Sequence, residues 1–188
     1  AIIKGMSRDN LSAYMDETLT PAYSLILSKC LNYSDDAVNY YKENYDYDPD
    51  EANRLLDEAG WKDSDGDGIR EKDGTKLSFT FDDRDTESAK AIGQSLQIDM
   101  KAIGIDMQIT TQDWSYVNQD VNDGNFQMAY LGLGWSEPFL LLDMFCQRNA
   151  EATNPDPDGQ AELVAEARKI VDFEDRTAAI TEIQKKIM

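Results

Sequence analysis

Residues 45–81 read YDYDPDEANRLLDEAGWKDSDGDGIREKDGTKLSFTF. Asp48 has the side chain of a helix N-cap, Pro49 suits the first helical position, and Glu51 stands where a capping box is completed. Ala52, Leu55, Leu56 and Ala59 recur at helical spacing and predict one buried stripe, which Gly60 ends. Asp67-Gly68 and Asp73-Gly74 are turn pairs, so Ile69 to Lys72 and Lys76 to Phe81 are expected as the two strands of a hairpin. Leu77, Phe79 and Phe81 alternate with polar residues, the mark of a strand with one buried face. A capped helix leading through tight turns into such a strand points to an α/β fold.

The same pattern continues outward. Thr86 to Ile103 predicts a long helix with an inner stripe of Ala89, Ile92, Leu96, Ile98, Met100 and Ile103, stopped by Gly104. Ile105 to Thr111 alternates, Trp114 to Val121 suits a shorter helix, and Asn122-Asp123-Gly124-Asn125 is a turn. Phe126 to Leu133 is apolar enough to be expected as a central, parallel strand. Pro138 opens a helical stretch through Met144, 149–159 reads as loop, and 160–172 and 175–188 as two further helices. On the amino side, 2–16 carries a helical stripe, while 18–47 is tyrosine-rich and irregular, with Pro21 against a helix. The expectation is a single α/β lobe over 1–188, with a mixed sheet flanked by helices and a β-hairpin. Its parts are a helix and connection (1–47), an α/β core (48–148) and C-terminal helices (149–188). Both ends fall inside helical patterns, as in a piece cut from a longer protein.

Composition narrows function. Against 18 Lys and Arg stand 37 Asp and Glu, a net charge of −19 that repels nucleic acid and anionic membrane. There is no histidine, so the commonest general base and zinc ligand are missing, and no nucleophile motif is present. An enzyme is therefore not expected. Cys30 and Cys146 are too far apart in sequence for a metal motif; they are buried thiols or one disulfide, and the apolar setting of Cys146 favours thiols. No stretch is long and apolar enough to span a membrane, and none reads as a signal peptide.

Several of these segments share their words and order with a known family. Residues 45–81 resemble Y-D-P-E-x-A-x-x-L-L-x-E-A-G-[WY] followed by D-x-D-G-D-G-I-R-E, D-G and an alternating strand, as found in family 5 extracellular solute-binding proteins. These are the oligopeptide-, dipeptide- and nickel-binding receptors of ABC importers. AKAIGQSLQIDMKAIGIDMQI resembles the family's long helix and strand, and YVNQDVNDGNFQMAYLGLGW its helix, turn and strand ending in Gly-Trp. AIIKGMSRDNL and TPAYSLI resemble two earlier segments. The resemblance covers nearly the whole chain. It implies the second lobe of a hinge-closing receptor of the type II periplasmic-binding-protein fold. It further implies an extracytoplasmic location, periplasmic or lipid-anchored, a peptide or other small solute as ligand and ABC permease subunits as partners. A monomer without cofactor is expected. The alternative is a calcium-stabilised binding or interaction module of the cell surface.

Candidate site residues follow. Ligands of open α/β sheets bind beyond the carboxyl ends of strands, so Trp135, just past the strand Phe126 to Leu133, is the first candidate, with Tyr130 beside it. Trp114 and Tyr116 also lie near strand ends, Trp114 rather as packing. In peptide-binding members an acidic residue of the loop after Gly-Trp holds the peptide's amino terminus. Here that loop reads GWSEP, so the family's Asp has no counterpart and Ser136 or Glu137 falls nearby. Asp63, Asp65 and Asp67 resemble the start of a calcium loop, but the twelfth position is Gly74 rather than Glu, with Glu71 as a substitute ligand; a solvated acidic turn leading into the hairpin is the favoured reading. Asp82, Asp83, Asp85 and Glu87 are expected to cap and solvate the long helix.

Overall fold

The computed structural model describes residues 1–15, 20–132, 134, 136–152 and 159–187. The chain forms two compact units, one of residues 1–21, 45–121 and 125–131, the other of the remainder.

The first unit holds the parallel sheet. A 3₁₀ turn, Ile3–Gly5, precedes α1 (Arg8–Tyr14). The expected single helix over 2–16 is therefore interrupted. Gly5 packs on Ile103, where an added Cβ would stand 2.5 Å from Cδ1, and Ser7 starts a new helix by accepting the Asn10 N–H. In the second unit, α2 (Asp35–Tyr45) occupies part of the stretch expected to be irregular. Its Ala37 and Tyr41, four residues apart, are both buried, a helical stripe hidden among polar and aromatic neighbours.

Helix α3 (Pro49–Glu58) forms as its signals require. Asp48 accepts the Glu51 N–H at 2.9 Å. The reciprocal half of the capping box does not form: the Asp48 N–H goes to the Lys4 carbonyl, and the Glu51 carboxylate pairs with Arg54. At the other end Gly60, at φ 88°, allows the Trp61 N–H to reach the Leu56 carbonyl and the Gly60 N–H that of Asp57, a Schellman closure. The hairpin is shorter than expected. Strands β1 (Glu71–Lys72) and β2 (Thr75–Lys76) are antiparallel around Asp73-Gly74, both at positive φ. The chain then leaves the hairpin at Leu77 and enters another sheet as β3 (Ser78–Arg84).

Helix α4 (Glu87–Ala102, capped by Thr86), β4 (Asp106–Gln112), α5 (Trp114–Asp123) and β5 (Met128–Ala129) complete the alternation. The sheet order is β4-β3-β5, all parallel. The expected α/β architecture with helices about a sheet and a hairpin is what forms. The stretch Phe126 to Leu133 is not the central strand. Its described ladder is two residues long and lies beside β3, which holds the centre because it is hydrogen-bonded on both sides; Leu133 lies outside the described residues. One face of β3 and β4 packs on α4 and α3 through Phe81, Met107, Ile92, Leu96, Met100 and Leu56. Burying each such side chain is worth about 1.5–3 kcal/mol.

The second unit gathers α6 (Pro138–Ala152), α7 (Gln160–Ala167) and α8 (Phe173–Ile187) around Leu142, Val164 and Ile180. Cys146 is inside that core and Cys30 packs against it; no disulfide joins them. No helix among the described residues is long and apolar enough to cross a membrane.

Candidate functional site

The carboxyl end of the central strand carries a cluster of buried and half-buried polar residues. Strand β3 runs on past Phe81 through Asp82, Asp83 and Arg84. Asp82 and Asp83 are 6% and 0% exposed, so they belong to the sheet and do not solvate the helix as expected. The reason is register: Asp82 is held between Thr110 of β4 and Ala129 of β5. The alternation of β3 sends the two aspartates to opposite faces.

Asp83 points at α4. Its Oδ1 accepts the N–H of Arg84, while Oδ2 is sealed from solvent and has no hydrogen-bond partner; a Cβ on Gly93 would stand 2.7 Å from it. Burial pushes the Asp83 carboxyl above the ordinary carboxylate range, opposed by its backbone hydrogen bond and by Lys90. Asp82 and Arg84 share the other face. Burial raises the Asp82 carboxyl too, and the Asp120 carboxylate of α5 adds to the rise. Arg84 stands opposite Gln112 of β4, and Gln112 Nε2 donates to Asp120 Oδ2 at 3.3 Å. The Arg84 guanidinium lies 4.6 Å from the ring centre of Trp114, the first residue of α5, and its buried Nε has no hydrogen-bond partner. A guanidinium over an indole at a strand end is suited to receive an anionic or carbonyl oxygen. Trp114, expected mainly as packing, is thus a platform, 37% exposed.

The residues expected to form the site are distributed differently. Tyr130 is half-buried and packs against the first core, its N–H bonded to the Asp82 carbonyl. Trp135 lies outside the described residues. In the second unit Ser136 is exposed and its carbonyl accepts the Leu31 N–H. Glu137 turns onto its own helix: its two oxygens accept the N–H groups of Phe139 and Leu140 at 3.1 and 2.9 Å. Arg84, Asp82, Gln112 and Asp120 were missed. Carrying the alternation three residues past Phe81 places Arg84 at a strand end, whereas the Asp run is expected from the sequence to cap and solvate the following helix.

The acidic loop lies at the opposite, amino end of the strands. Asp63, Asp65 and Glu71 bring carboxylate oxygens within 4.8 Å of one another. Asp67 does not join them; it pairs with Lys76, whose ammonium is also 3.4 Å from Asp65. Asp63 accepts the N–H groups of Gly66 and Gly68, so local turns already use the carboxylates. Beside this loop a hollow of about 470 Å³ is lined by Asn53, Asp57, Arg70 and Lys101 among others. Arg70 donates there to Ile103 O, Trp61 O, Asn53 Oδ1 and Asp57 Oδ1.

Comparison with known proteins gives the chain's family and fold relatives. Residues 6–153 match the middle region of the bacterial extracellular solute-binding proteins, family 5. The oligopeptide-binding protein AppA of Bacillus subtilis is 35% identical over 103 residues, 52% of this chain and 19% of that protein. The nickel-binding periplasmic protein of Escherichia coli is 33% identical over 94 residues, 50% of this chain and 18% of that protein. The structure of AppA with a nonapeptide superposes with a TM-score of 0.78 at 23% identity, over 99% of this chain and 38% of that one. An oligopeptide-binding protein of Thermotoga maritima bound to mannohexaose superposes with a TM-score of 0.82 at 18% identity, again over 99% and 38%. The chain thus spans well under half the length of these relatives.

Proposed function

This chain belongs to the bacterial extracellular solute-binding proteins of family 5, and from that membership we propose that it is a solute-contacting part of the binding protein of an ABC importer. It acts outside the cytoplasm and hands its solute to the permease subunits. The remainder of the protein supplies the other side of the solute's enclosure, and closure excludes water. The observation that carries this reading is the Arg84 guanidinium laid on Trp114 at the carboxyl end of the central parallel strand, where open α/β sheets bind ligands. Relatives of one fold carry a nonapeptide, nickel or mannohexaose in their names. The solute is therefore set by side chains at this edge rather than by the fold. The chain has the character of a binding protein like its relatives, and capture needs no cofactor. The alternative of a calcium-stabilised module draws no support from them.

The test uses the intact protein that carries this chain. Native mass spectrometry of material from its own host identifies the co-purifying solute. Arg84→Ala then weakens that solute by about 1.5–3 kcal/mol, the worth of charge-assisted hydrogen bonds, with the circular dichroism spectrum unchanged. Unchanged affinity in Arg84→Ala overturns the assignment.

A further inference from the structure

We propose that Asp73-Gly74, at the tip of the β1–β2 hairpin, is a site of spontaneous covalent modification, where aspartate converts to isoaspartate through a cyclic imide. The chemistry favours an aspartate followed by glycine, because the attacking backbone nitrogen must approach the carboxyl carbon unhindered. Asp65-Gly66, Asp67-Gly68, Asp73-Gly74 and Asp123-Gly124 all meet that condition among the described residues. The fold separates them. Asp63 accepts the Gly66 N–H at 2.8 Å and the Gly68 N–H at 2.9 Å, so both nitrogens are pinned. The carboxylates before them are engaged as well: Asp65 accepts the Asp67 N–H, and Asp67 accepts the Ile69 N–H and pairs with Lys76. Asp123 is the last residue of α5, where helical dihedrals fix the nitrogen that follows.

Asp73-Gly74 carries none of these restraints. Both residues are exposed, and among the described residues neither the Asp73 carboxylate nor the Gly74 N–H has a hydrogen-bond partner. A Cβ added to Gly74 would meet nothing within 4 Å, so no neighbour packs over the turn. The pair that closes the turn, Lys72 with Thr75, is exposed on both sides, and such terminal pairs open locally at little cost. Opening lets Asp73 leave its left-handed conformation (φ 52°) and swing its carboxyl over the Gly74 nitrogen. That nitrogen bonds to Asp73 Cγ, and its proton leaves with a carboxyl oxygen as water. Water then adds to one carbonyl of the imide ring. Addition at Cγ restores aspartate; addition at the backbone carbonyl carbon leaves Gly74 attached through Cγ and frees an α-carboxylate. Nothing is oxidised or reduced, and solvent water is the only co-reactant. The product lengthens the backbone by a methylene, so the turn no longer fits the register of Glu71-Lys72 with Thr75-Lys76.

The test incubates the intact protein that carries this chain for weeks in mildly acidic buffer made with water labelled in heavy oxygen. Each passage through the imide leaves one labelled oxygen in the carboxyl group. Peptide mapping with electron-transfer fragmentation then locates both the label and the isoaspartate. Label is expected to accumulate at Asp73 roughly ten-fold or more faster than at Asp65, Asp67 or Asp123. In urea the same sites should react at similar rates, because the fold no longer restrains any of them. Gly74→Ala, whose Cβ shields the nitrogen, should slow the reaction at Asp73 alone. Equal labelling of Asp73 and a pinned site in the folded protein overturns the inference. So does an Asp73 that stays unlabelled while the unfolded chain reacts. Unchanged labelling in Gly74→Ala overturns it too, since direct exchange of a carboxyl with water needs no imide.

Discussion

Arg70 and Asp83 show how single residues fix this molecule. Arg70 ties the acidic loop to the ends of two helices through four acceptors, with a side chain only 13% exposed. Its partner Asp57 is 56% exposed, so the carbonyls of Trp61 and Ile103 matter more than the ion pair. Arg70→Ala is expected to cost about 2–3 kcal/mol in urea unfolding. Arg70→Lys should recover little, because an ammonium lacks the planar fork; full recovery by Lys would refute this account. Asp83 acts in the opposite sense. Burial raises its carboxyl in the folded state, so the native protein holds that proton more tightly than the unfolded chain. Its contribution to stability is complete below the unfolded carboxylate pKa of about 4 and is lost as pH rises through the folded value. Asp83→Asn should therefore melt above the wild type at pH 7, with the difference shrinking toward pH 4. A difference independent of pH between those values contradicts it.

Among elements, α4 is the one whose placement the site depends on. Gly93, in mid-helix, lets α4 come down on β3 and β4: a Cβ there would meet Asp83 Oδ2 at 2.7 Å, the Phe81 ring at 3.3 Å and Ile109 Cδ1 at 3.4 Å. Gly93→Ala gains about 1 kcal/mol in helix propensity but overpacks the interface, which costs about 1–3 kcal/mol. Net destabilisation is expected, and it should be smaller in an Asp83→Ala background because the nearest clash is gone. Equal effects in both backgrounds would show that α4 tilts freely. The capped helix α3 and the Gly104 stop of α4 were readable in advance, since caps and positive-φ glycines are local. The hairpin's early end at Leu77 was not, because which strand pairs with β3 is decided by β4 and β5, residues 106–129.

At the scale of the whole molecule the net charge of −19 governs behaviour in solution. Folding concentrates like charges, and salt screens them over a Debye length of about 10 Å at 0.1 M. The melting temperature is expected to rise between 10 and 200 mM sodium chloride, conditions chosen to span about 30 Å to 7 Å of screening. A fall over that range would mean that attractive pairs such as Lys76 with Asp67 outweigh the repulsion.

The sequence by itself determined the α/β class, most helices, the tight turns and the family, because caps, glycines and apolar periodicity act within a few residues of chain. It also left these residues without histidine chemistry and with a net charge that repels nucleic acid, which are matters of composition. Tertiary structure alone decided that β3, not the stretch from Phe126, is central, that Asp82 and Asp83 are buried on opposite faces, and that Arg84 meets Trp114. The pairings behind these facts join residues 28 or more positions apart, and strand order and the face on which a side chain emerges are set by that pairing. An Asp run reads the same in a solvated loop as at the end of a buried strand. Only the neighbours brought by the fold distinguish the two.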